Sequence, residues 1–242
     1  MTGSATGDAP VVLVTGASSG IGAATARRFA AAGYRVAIGF HRGEAAAERV
    51  AAETGGRSYG ADVADADAVA RMVGAVEVEL GPIAVAVCNA GFYEERPLAE
   101  VTDDLWTRTL RVHLGGCFHV ARAVVSGMRD RGDGSIVTVA SELALIGGEE
   151  VAHYVAAKAA ILGFTRALAR EVAPRIRANA VAPGAVDTPL LPDRDRGPGY
   201  TDTLPLRRIG RPAEVAEVIF TLAEARWCTG ATWAINGGAA IQ

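Results

Sequence analysis

Short apolar runs rich in β-branched residues alternate with longer segments rich in Ala, Arg and Glu along almost the whole chain. The apolar runs predict strands at 11–14, 34–40, 57–61, 83–88, 135–140, 177–182 and 231–235. The segments between them predict helices at 21–32, 44–54, 65–80, 102–131, 150–172 and 212–223. Strands that alternate with helices pair in parallel, so the pattern predicts an α/β fold. We expect a doubly wound parallel sheet of about seven strands with helices on both faces.

Length and composition indicate one domain at 10–242, preceded by a flexible N-terminus at 1–9. The N-terminus lacks the basic and apolar regions of a signal peptide, and no apolar run reaches the length of a membrane span. The net charge of -3 is made of interspersed charges, which argues against a nucleic-acid or membrane surface. Three separated cysteines suggest neither a disulfide framework nor a zinc site. We therefore expect a cytoplasmic protein with buried free thiols.

A glycine-rich turn follows the first predicted strand and opens the first predicted helix. Glycines there let the backbone turn tightly and approach a pyrophosphate, and the free N–H groups of a helix N-terminus favour anions. The turn predicts the nucleotide site of a Rossmann-like domain; the alternative is a purely structural turn. The residues expected to contact the nucleotide are Gly16, Ser18, Ser19, Gly20, Ile21 and Gly22.

Lys158 is the only lysine among the 24 Lys+Arg residues of the chain. It follows Tyr154 by one helical turn, so the two side chains share a face of the predicted helix. An ammonium is a compact point charge that a planar guanidinium does not replace. A nearby ammonium also stabilises a phenolate and lowers the pKa of the phenol. The pair predicts an acid–base site, against the alternative of a stray lysine on a solvated face.

The turn and the Tyr154–Lys158 pair, together with Asn89-Ala90-Gly91, Ser141 and Pro183-Gly184 after later strands, resemble the short-chain dehydrogenase/reductase family. The resemblance covers roughly residues 10–240, and the overall pattern is similar to 3-oxoacyl-acyl-carrier-protein reductases and related ketoreductases. It implies that Tyr154 is the catalytic acid and that Ser141 holds the substrate oxygen. Lys158 and the positively charged oxidised nicotinamide would lower the pKa of Tyr154, and Lys158 would also bind the nicotinamide ribose. Further cofactor contacts implied by the resemblance are Asp62, Val63, Asn89, Ala90, Gly91, Pro183, Gly184, Val186 and Thr188.

The residues after the second predicted strand indicate which nicotinamide cofactor is bound. NAD enzymes place Asp or Glu at this point to bind the ribose 2′-hydroxyl, whereas this chain has His41 and Arg42. A guanidinium suits a 2′-phosphate, so we expect NADP(H), with NAD as the alternative. Two points leave the choice between NADP(H) and NAD open. Arg42 could simply face solvent, and Ser19 stands where many NADP-using relatives carry a basic residue.

His113 is the main departure from the family pattern, because relatives have an asparagine at this point. The resemblance implies that this asparagine holds a water molecule in a proton path towards the lysine. Two interpretations stay open for His113: it carries the relay, since histidine titrates near neutrality, or it only preserves a kink in the helix. His153 is expected to be structural. His41 and His119 show no metal-ligand spacing with it, and no metal is assigned.

The substrate pocket is expected to be lined by residues 142–148, Phe92, Tyr93 and the irregular stretch 189–203. These residues are mostly apolar, with Glu142 and Glu149 as exceptions. They suit a small carbonyl or alcohol substrate, free or carrier-bound. The stretch 189–203 is either a lid or a floppy surface loop. The helix at 150–172 and the last strand match the surfaces through which relatives form tetramers, so a homotetramer is expected, with a dimer as second choice.

The expected function is NADP(H)-dependent hydride transfer between nicotinamide and a ketone or secondary alcohol. Three alternatives remain. The first is an NAD-dependent alcohol or sugar dehydrogenase, and the second is a family member that performs isomerisation or dehydration. The third is a non-catalytic nucleotide-binding scaffold, which loss of Ser141, Tyr154 or Lys158 would have favoured.

Overall fold

The structure is a computed structural model that describes residues 9–241, so all but the last residue of the expected flexible segment 1–9 lies outside the described residues. Seven parallel strands form one sheet in the order β3-β2-β1-β4-β5-β6-β7. They are β1 (Val11–Thr15), β2 (Arg35–Phe40), β3 (Arg57–Gly60), β4 (Ile83–Cys88), β5 (Gly134–Val139), β6 (Ile176–Pro183) and β7 (Thr232–Ile235). The predicted fold class is confirmed.

The helices are α1 (Gly20–Ala31), α2 (Glu44–Thr54), α3 (Ala66–Leu80), α4 (Asp103–Leu110), α5 (Gly116–Arg131), α6 (Leu143–Ile146), α7 (Ala152–Val172), α8 (Pro198–Thr201) and α9 (Pro212–Glu224). The six predicted helical segments are present, one of them divided into α4 and α5, and the short helices α6 and α8 were not predicted. None of the helices within residues 9–241 is long and apolar enough to cross a bilayer.

The predicted long helix at 102–131 is interrupted, because a π-helical turn at Arg111–Gly115 separates α4 from α5. The backbone on both sides stays helical, at Leu110 and at Gly116. A single widened turn leaves the apolar periodicity of a long segment almost unchanged, so the sequence pattern could not show it. Such turns often lie at functional sites.

Both faces of the sheet are buried, which explains why the strands read as nearly continuous apolar runs. Successive side chains on a strand point to opposite faces. Val11 and Leu13 of β1 belong to the core beneath α3, α5 and α7, while Val12 and Val14 belong to the core beneath α1, α2 and α9. Packing on both faces holds the parallel strands in place, so their carboxyl ends lie along one edge of the sheet.

The strand order reverses between β1 and β4, which adjoin each other at the centre of the sheet. In open α/β sheets the crevice outside the carboxyl ends at such a switch point is the usual ligand site. The glycine turn follows β1, Asn89 follows β4, and Ser141 lies just beyond β5. The fold therefore brings the predicted site residues to one edge.

Candidate active site

The glycine turn after β1 has the backbone that the sequence predicts. Gly16 has a φ of +63°, and a Cβ there would come within 2.8 Å of the Cα of Ala90. Ser19 is the N-cap of α1, and its hydroxyl makes no capping hydrogen bond. The first N–H groups of the helix and the Ser19 hydroxyl therefore remain for an anion.

Thr15, which the sequence analysis did not single out, joins the turn to β4. Its hydroxyl donates to the Val87 carbonyl at 3.2 Å and accepts from the N–H groups of Asn89 and Ala90 at 3.0 and 3.1 Å. The Asn89 amide donates to the carbonyls of Thr15 and Gly16 at 2.9 and 3.2 Å. The Asn89 side chain thus holds the turn in place. A polar residue at the end of an otherwise apolar strand was the only sequence signal for Thr15.

A cavity of about 610 Å³ lies over this turn. Gly22 is buried and lies outside the lining. Arg108 of α4 and Arg111 of the π-helical turn also line the cavity and were missed, since their approach depends on tertiary packing. The expected nucleotide-binding residues that line it are Gly16, Ser18, Ser19, Gly20, Ile21, His41, Arg42, Asp62, Val63, Asn89, Ala90, Gly91 and Thr188.

Arg42 lies just beyond β2 at the edge of this cavity. Its side chain is exposed and makes no ion pair or hydrogen bond with other residues between 9 and 241. By contrast, Asp62 accepts a hydrogen bond from the N–H of Ala64 at 2.9 Å, which fixes the loop after β3. The guanidinium of Arg42 is therefore available to a ligand in the cavity.

A second cavity of about 490 Å³ adjoins the first, and Ile21, Asn89 and Thr188 line both. It contains the four expected catalytic residues Ser141, Tyr154, Lys158 and His113. Three of the expected cofactor residues, Pro183, Gly184 and Val186, line this second cavity only. The two cavities together form a continuous groove that runs from the glycine turn to Tyr154.

Lys158 is buried beneath this groove. Its ammonium donates to the carbonyl of Val139, the last residue of β5, at 2.8 Å and lies 5.6 Å from the centroid of the Tyr154 ring. Burial lowers the pKa of Lys158 to about 8. The single lysine is therefore an anchored internal cation, and the alternative of a solvated surface lysine is wrong.

The hydroxyl of Tyr154 does not have the low pKa that the sequence suggested. Burial raises the pKa of Tyr154 to about 12, a hydrogen bond with Ser141 lowers it in part, and the nearby Glu142 carboxylate raises it. The expected lowering assumed the oxidised nicotinamide as well as Lys158, so it stays a prediction for the protein with its cofactor bound. In the polypeptide alone, desolvation of the phenolate is the largest cause.

His113 lies at the centre of the π-helical turn and is fully buried. Its Nε2 lies 3.0 Å from the carbonyl of Phe92 and 3.4 Å from the N–H of the same residue; the shorter contact requires a proton on Nε2, so Nε2–H is assigned as the donor to the carbonyl. Its Nδ1 has no partner among the described residues. The imidazole meets the Tyr154 ring edge-on, with ring centroids 5.4 Å apart. Burial and the Lys158 charge hold the pKa of His113 well below its usual value. The expectation that it titrates near neutrality is therefore wrong.

His153 precedes Tyr154 on α7 and is also buried. Neither of its ring nitrogens has a partner within the part of the chain that the structure describes. In that same part, no three His, Cys, Asp or Glu side chains are grouped as metal ligands. All three cysteines are free; Cys88 and Cys117 are buried, whereas Cys228 is only partly so.

The stretch 189–203 is more ordered than its composition suggested. It contains a 3₁₀ turn at Asp193–Arg196 and the short helix α8. Arg194 pairs with Glu95, and Arg196 pairs with Asp187. Residues of this stretch line both cavities. The stretch therefore forms part of the lining of the groove, and the choice between a lid and a floppy surface loop stays a prediction.

Comparison with known proteins adds three kinds of likeness. The family described as enoyl-(acyl carrier protein) reductase matches residues 16–240. The acetoacetyl-CoA reductase of Shinella zoogloeoides is 40% identical over 94% of this chain and 97% of its own length. The 3-oxoacyl-(acyl-carrier-protein) reductase of Thermotoga maritima is 38% identical over 96% and 98%. A solved short-chain dehydrogenase/reductase of the glucose/ribitol dehydrogenase type from Brucella melitensis superposes with a TM-score of 0.90. It is 33% identical over 97% of this chain and 98% of its own.

Proposed function

Because the chain belongs to the short-chain dehydrogenase/reductase family and is an oxidoreductase of CH–OH and C=O groups, we propose that it is an NADP(H)-dependent ketoreductase of the 3-oxoacyl reductase type. The observation that carries the proposal is the position of Ser141, Tyr154 and Lys158. They line a cavity that adjoins the glycine turn, so a nucleotide and a carbonyl compound can meet there.

The first cavity fits a dinucleotide. The positive φ of Gly16 shapes the turn, and the uncapped start of α1 offers N–H groups to a pyrophosphate. Asp62 and Val63 would hold the adenine, while Tyr154 and Lys158 would hold the nicotinamide ribose. When bound there, NADPH supplies the hydride for reduction of the carbonyl carbon.

NADP(H) is favoured over NAD by the charges of this cavity. The unpaired guanidinium of Arg42 stands where NAD enzymes carry an acid. Arg108 and Arg111 line the same cavity, and so do the carboxylates of Asp62 and Asp104, which leaves one arginine in excess. A 2′-phosphate would be stabilised by charge-assisted hydrogen bonds to such groups. An NAD-dependent alcohol or sugar dehydrogenase remains the alternative, and the likeness to the Brucella melitensis structure is the observation in its favour.

Within the second cavity, Ser141 and Tyr154 would hold the substrate oxygen between two hydroxyl groups. The high pKa of Tyr154 keeps its proton in place at neutral pH, ready for transfer to the oxygen as negative charge develops. The Lys158 ammonium, fixed on the Val139 carbonyl, stabilises the phenolate that is left. Loss of the Tyr154 proton thus becomes easier as the reaction proceeds.

His113 takes the place of the family asparagine in this proposal. It is neutral because its pKa is low, and Nε2 carries the proton because it donates to Phe92. Nδ1 is therefore an acceptor, and it has no partner among the described side chains. We assign Nδ1 to a water molecule on the proton path towards Lys158. The π-helical turn in which His113 lies supports the other interpretation, that His113 only preserves a kink, so the His113→Asn variant is needed to choose between the two.

A homotetramer in the cytoplasm is proposed as the working assembly. Trp106 on α4 and Phe118 on α5 are exposed large apolar side chains, and Phe118 contacts Phe164 of α7. Trp233 on β7 is also exposed, at the other predicted surface. Three free thiols are typical of a reducing compartment.

The test is a panel of ketones, including a 3-oxoacyl thioester, assayed in parallel with NADPH and NADH. We expect stoichiometric consumption of NADPH with at least one ketone and a much lower rate with NADH. Tyr154→Phe, which keeps the ring but not the hydroxyl, should bind NADPH and lose turnover. If no ketone or alcohol is turned over with either cofactor although both bind, the chain is a nucleotide-binding scaffold instead.

A further inference from the structure

Glu142 is a buried carboxyl group inside the proposed substrate cavity. It follows Ser141 directly and lines the same cavity as Tyr154 and Lys158. Only 5% of the residue is exposed. Its N–H donates to the Pro183 carbonyl at 2.8 Å, which fixes its backbone to the end of β6. The carboxyl group thus has a defined position next to the expected site of the substrate oxygen.

The hydrogen-bonding capacity of this carboxyl group is almost unused. One oxygen, Oε1, accepts a long hydrogen bond of 3.4 Å from the hydroxyl of Tyr200, and Oε2 has no partner among the described residues. A carboxyl group can accept about four hydrogen bonds. Native proteins leave few buried polar atoms unpaired, and such an atom usually has a functional or solvent-related cause.

No described cation satisfies Glu142 within the fold. Lys158 is bound to the Val139 carbonyl, and Arg194, which also lines the cavity, pairs with Glu95 and Asp195. Burial raises the pKa of Glu142 to about 7, as expected for a carboxyl group without a charge partner. A structural role would be better served by a paired or apolar side chain. Oε2 is packed against Gly184 and closed to the cavity, so a solvent-related cause fits that atom. Oε1, which has only the long hydrogen bond from Tyr200, is the oxygen that a partner entering with the substrate can reach.

The surroundings of Glu142 limit what that partner can be. Among the lining residues, Leu143, Val151 and Leu191 are apolar, whereas the Asp195 carboxylate, a second possible acceptor, is paired with Arg194. Glu149 also lines the cavity but is exposed to solvent. A group that donates a hydrogen bond close to the reacting carbon would therefore meet Glu142 in a desolvated setting, where a buried acceptor discriminates strongly against analogues that lack the donor.

We propose that Glu142 is a specificity-determining residue that accepts a hydrogen bond from a hydroxyl group of the substrate, a few bonds from the reacting carbonyl. The inference rests on the proposed ketone reduction and narrows its substrates to hydroxylated ketones, including 3-oxoacyl chains that carry a further hydroxyl. An unsubstituted ketone leaves Glu142 without a partner and is a poorer substrate.

The test compares matched ketones of equal chain length that lack a hydroxyl or carry one on the first, second or third carbon from the carbonyl. Wild type, Glu142→Gln and Glu142→Met are assayed with NADPH. We expect wild type to prefer one hydroxylated isomer in kcat/KM by roughly tenfold to a hundredfold, the value of a hydrogen bond to a charged or buried acceptor. Met has a similar length but accepts no strong hydrogen bond, so Glu142→Met should abolish this ratio. Gln retains an acceptor oxygen, so Glu142→Gln should keep part of the ratio between hydroxylated and plain ketones. The change in this ratio should appear mainly in KM.

Glu48→Met is the control, since it removes an exposed carboxylate on α2 that lines neither cavity, and it should leave the ratio unchanged. A ratio that survives in Glu142→Met, or that is lost in Glu48→Met as well, would overturn the inference. So would a wild type that reduces plain and hydroxylated ketones equally well. A wild type that reduces no ketone with NADPH would overturn the proposed function itself, so the two failures are distinguishable.

Discussion

The imidazole of His113 occupies the space that a side chain on Gly91 would need. A Cβ at Gly91 would lie 2.5 Å from Cε1 and 2.8 Å from Nδ1 of the ring. The same ring is fixed from the other side by the Phe92 carbonyl. The glycine after β4 and the histidine of the π-helical turn are therefore one packing unit, and they should respond to substitution together.

Gly91→Ala should destabilise the protein by about 1–3 kcal/mol, because the new methyl group collides with a ring that cannot move freely. Gly91→Ala combined with His113→Asn should recover much of that loss, since the smaller amide leaves room for the methyl group. The four proteins of this double-mutant cycle are compared by urea unfolding. We expect a coupling energy of about 1–2 kcal/mol.

His113→Asn by itself is the informative control for this cycle. It should remain active within several-fold, as an amide can also accept a hydrogen bond from water. Its pH profile near neutrality should keep the wild-type shape, because the low pKa of His113 keeps the ring neutral there. Additive energies in the cycle would contradict the packing unit, and a folded but inactive His113→Asn would contradict the assigned role.

Lys158→Arg should keep the fold and lose most turnover. The site holds one compact ammonium against the Val139 carbonyl, and a planar guanidinium cannot occupy the same point. We expect kcat to fall by about 10²-fold or more, with NADPH affinity, measured by fluorescence titration, within several-fold of wild type. Arg166→Lys on the exposed face of α7 is the control and should be silent. A fully active Lys158→Arg would show that the ammonium is not required.

The sequence predicted well those elements whose first and last residues are set by neighbouring residues in the chain. The limits of β4 agree with the prediction because Gly81 and Pro82 stop α3 and an unbroken apolar run follows. The limits of α2 also agree, with Gly55 in a left-handed conformation at its end. The order of motifs along the chain then placed Ser141, Tyr154 and Lys158 at one edge of the sheet, since parallel strands share that edge.

What the sequence did not show depends on tertiary contacts. The raised pKa of Tyr154 follows from desolvation, which no spacing along a helix reports. The short helix α8 contacts the distant Glu142 through Tyr200, and the turn before it contacts the distant Glu95 through Arg194. The unsatisfied carboxyl group of Glu142 becomes visible only when every possible partner has a position.

Arg42→Ala should weaken NADPH binding by roughly tenfold to a hundredfold, the value of charge-assisted hydrogen bonds to a phosphate. NADH lacks the 2′-phosphate, so its affinity should change less than about twofold. Both constants are measured by fluorescence titration of the purified protein. Arg49→Ala, on the exposed face of the neighbouring α2, serves as the control. Equal losses for the two cofactors would contradict the preference for NADP(H).

Phe118→Asp should reduce the size of the assembly. Phe118 is 43% exposed on α5 and contacts Phe164, so in the proposed tetramer a charge there would have to be buried. Light scattering should give a tetramer for wild type and a smaller species for the variant. Val78→Asp places the same charge on α3, where Val78 is 87% exposed, and should leave the mass unchanged. A monomeric wild type would contradict the proposed assembly.

Glu142→Gln should alter how stability depends on pH. The pKa of Glu142 is raised from 4.5 to about 7 by burial, so between these values the folded protein keeps a proton that the unfolded chain has lost. The free energy of unfolding is therefore highest below this window and falls by about 3 kcal/mol as pH rises through it. Glutamine has no titratable proton, so the variant lacks this pH-dependent contribution. Its free energy of unfolding therefore rises relative to that of wild type as pH increases.

The measurement is urea unfolding of wild type and Glu142→Gln at about pH 5 and about pH 8, where the difference between the two proteins isolates this group from the other carboxylates. We take the free energy of unfolding of the variant minus that of wild type. This difference should be about 2–3 kcal/mol larger at the higher pH than at the lower. Glu149→Gln, at an exposed position in the same cavity, should show no such change. Parallel stabilities of wild type and Glu142→Gln at both pH values would mean that Glu142 is ionised in the folded protein at low pH, and hence that an unrecognised partner already satisfies it.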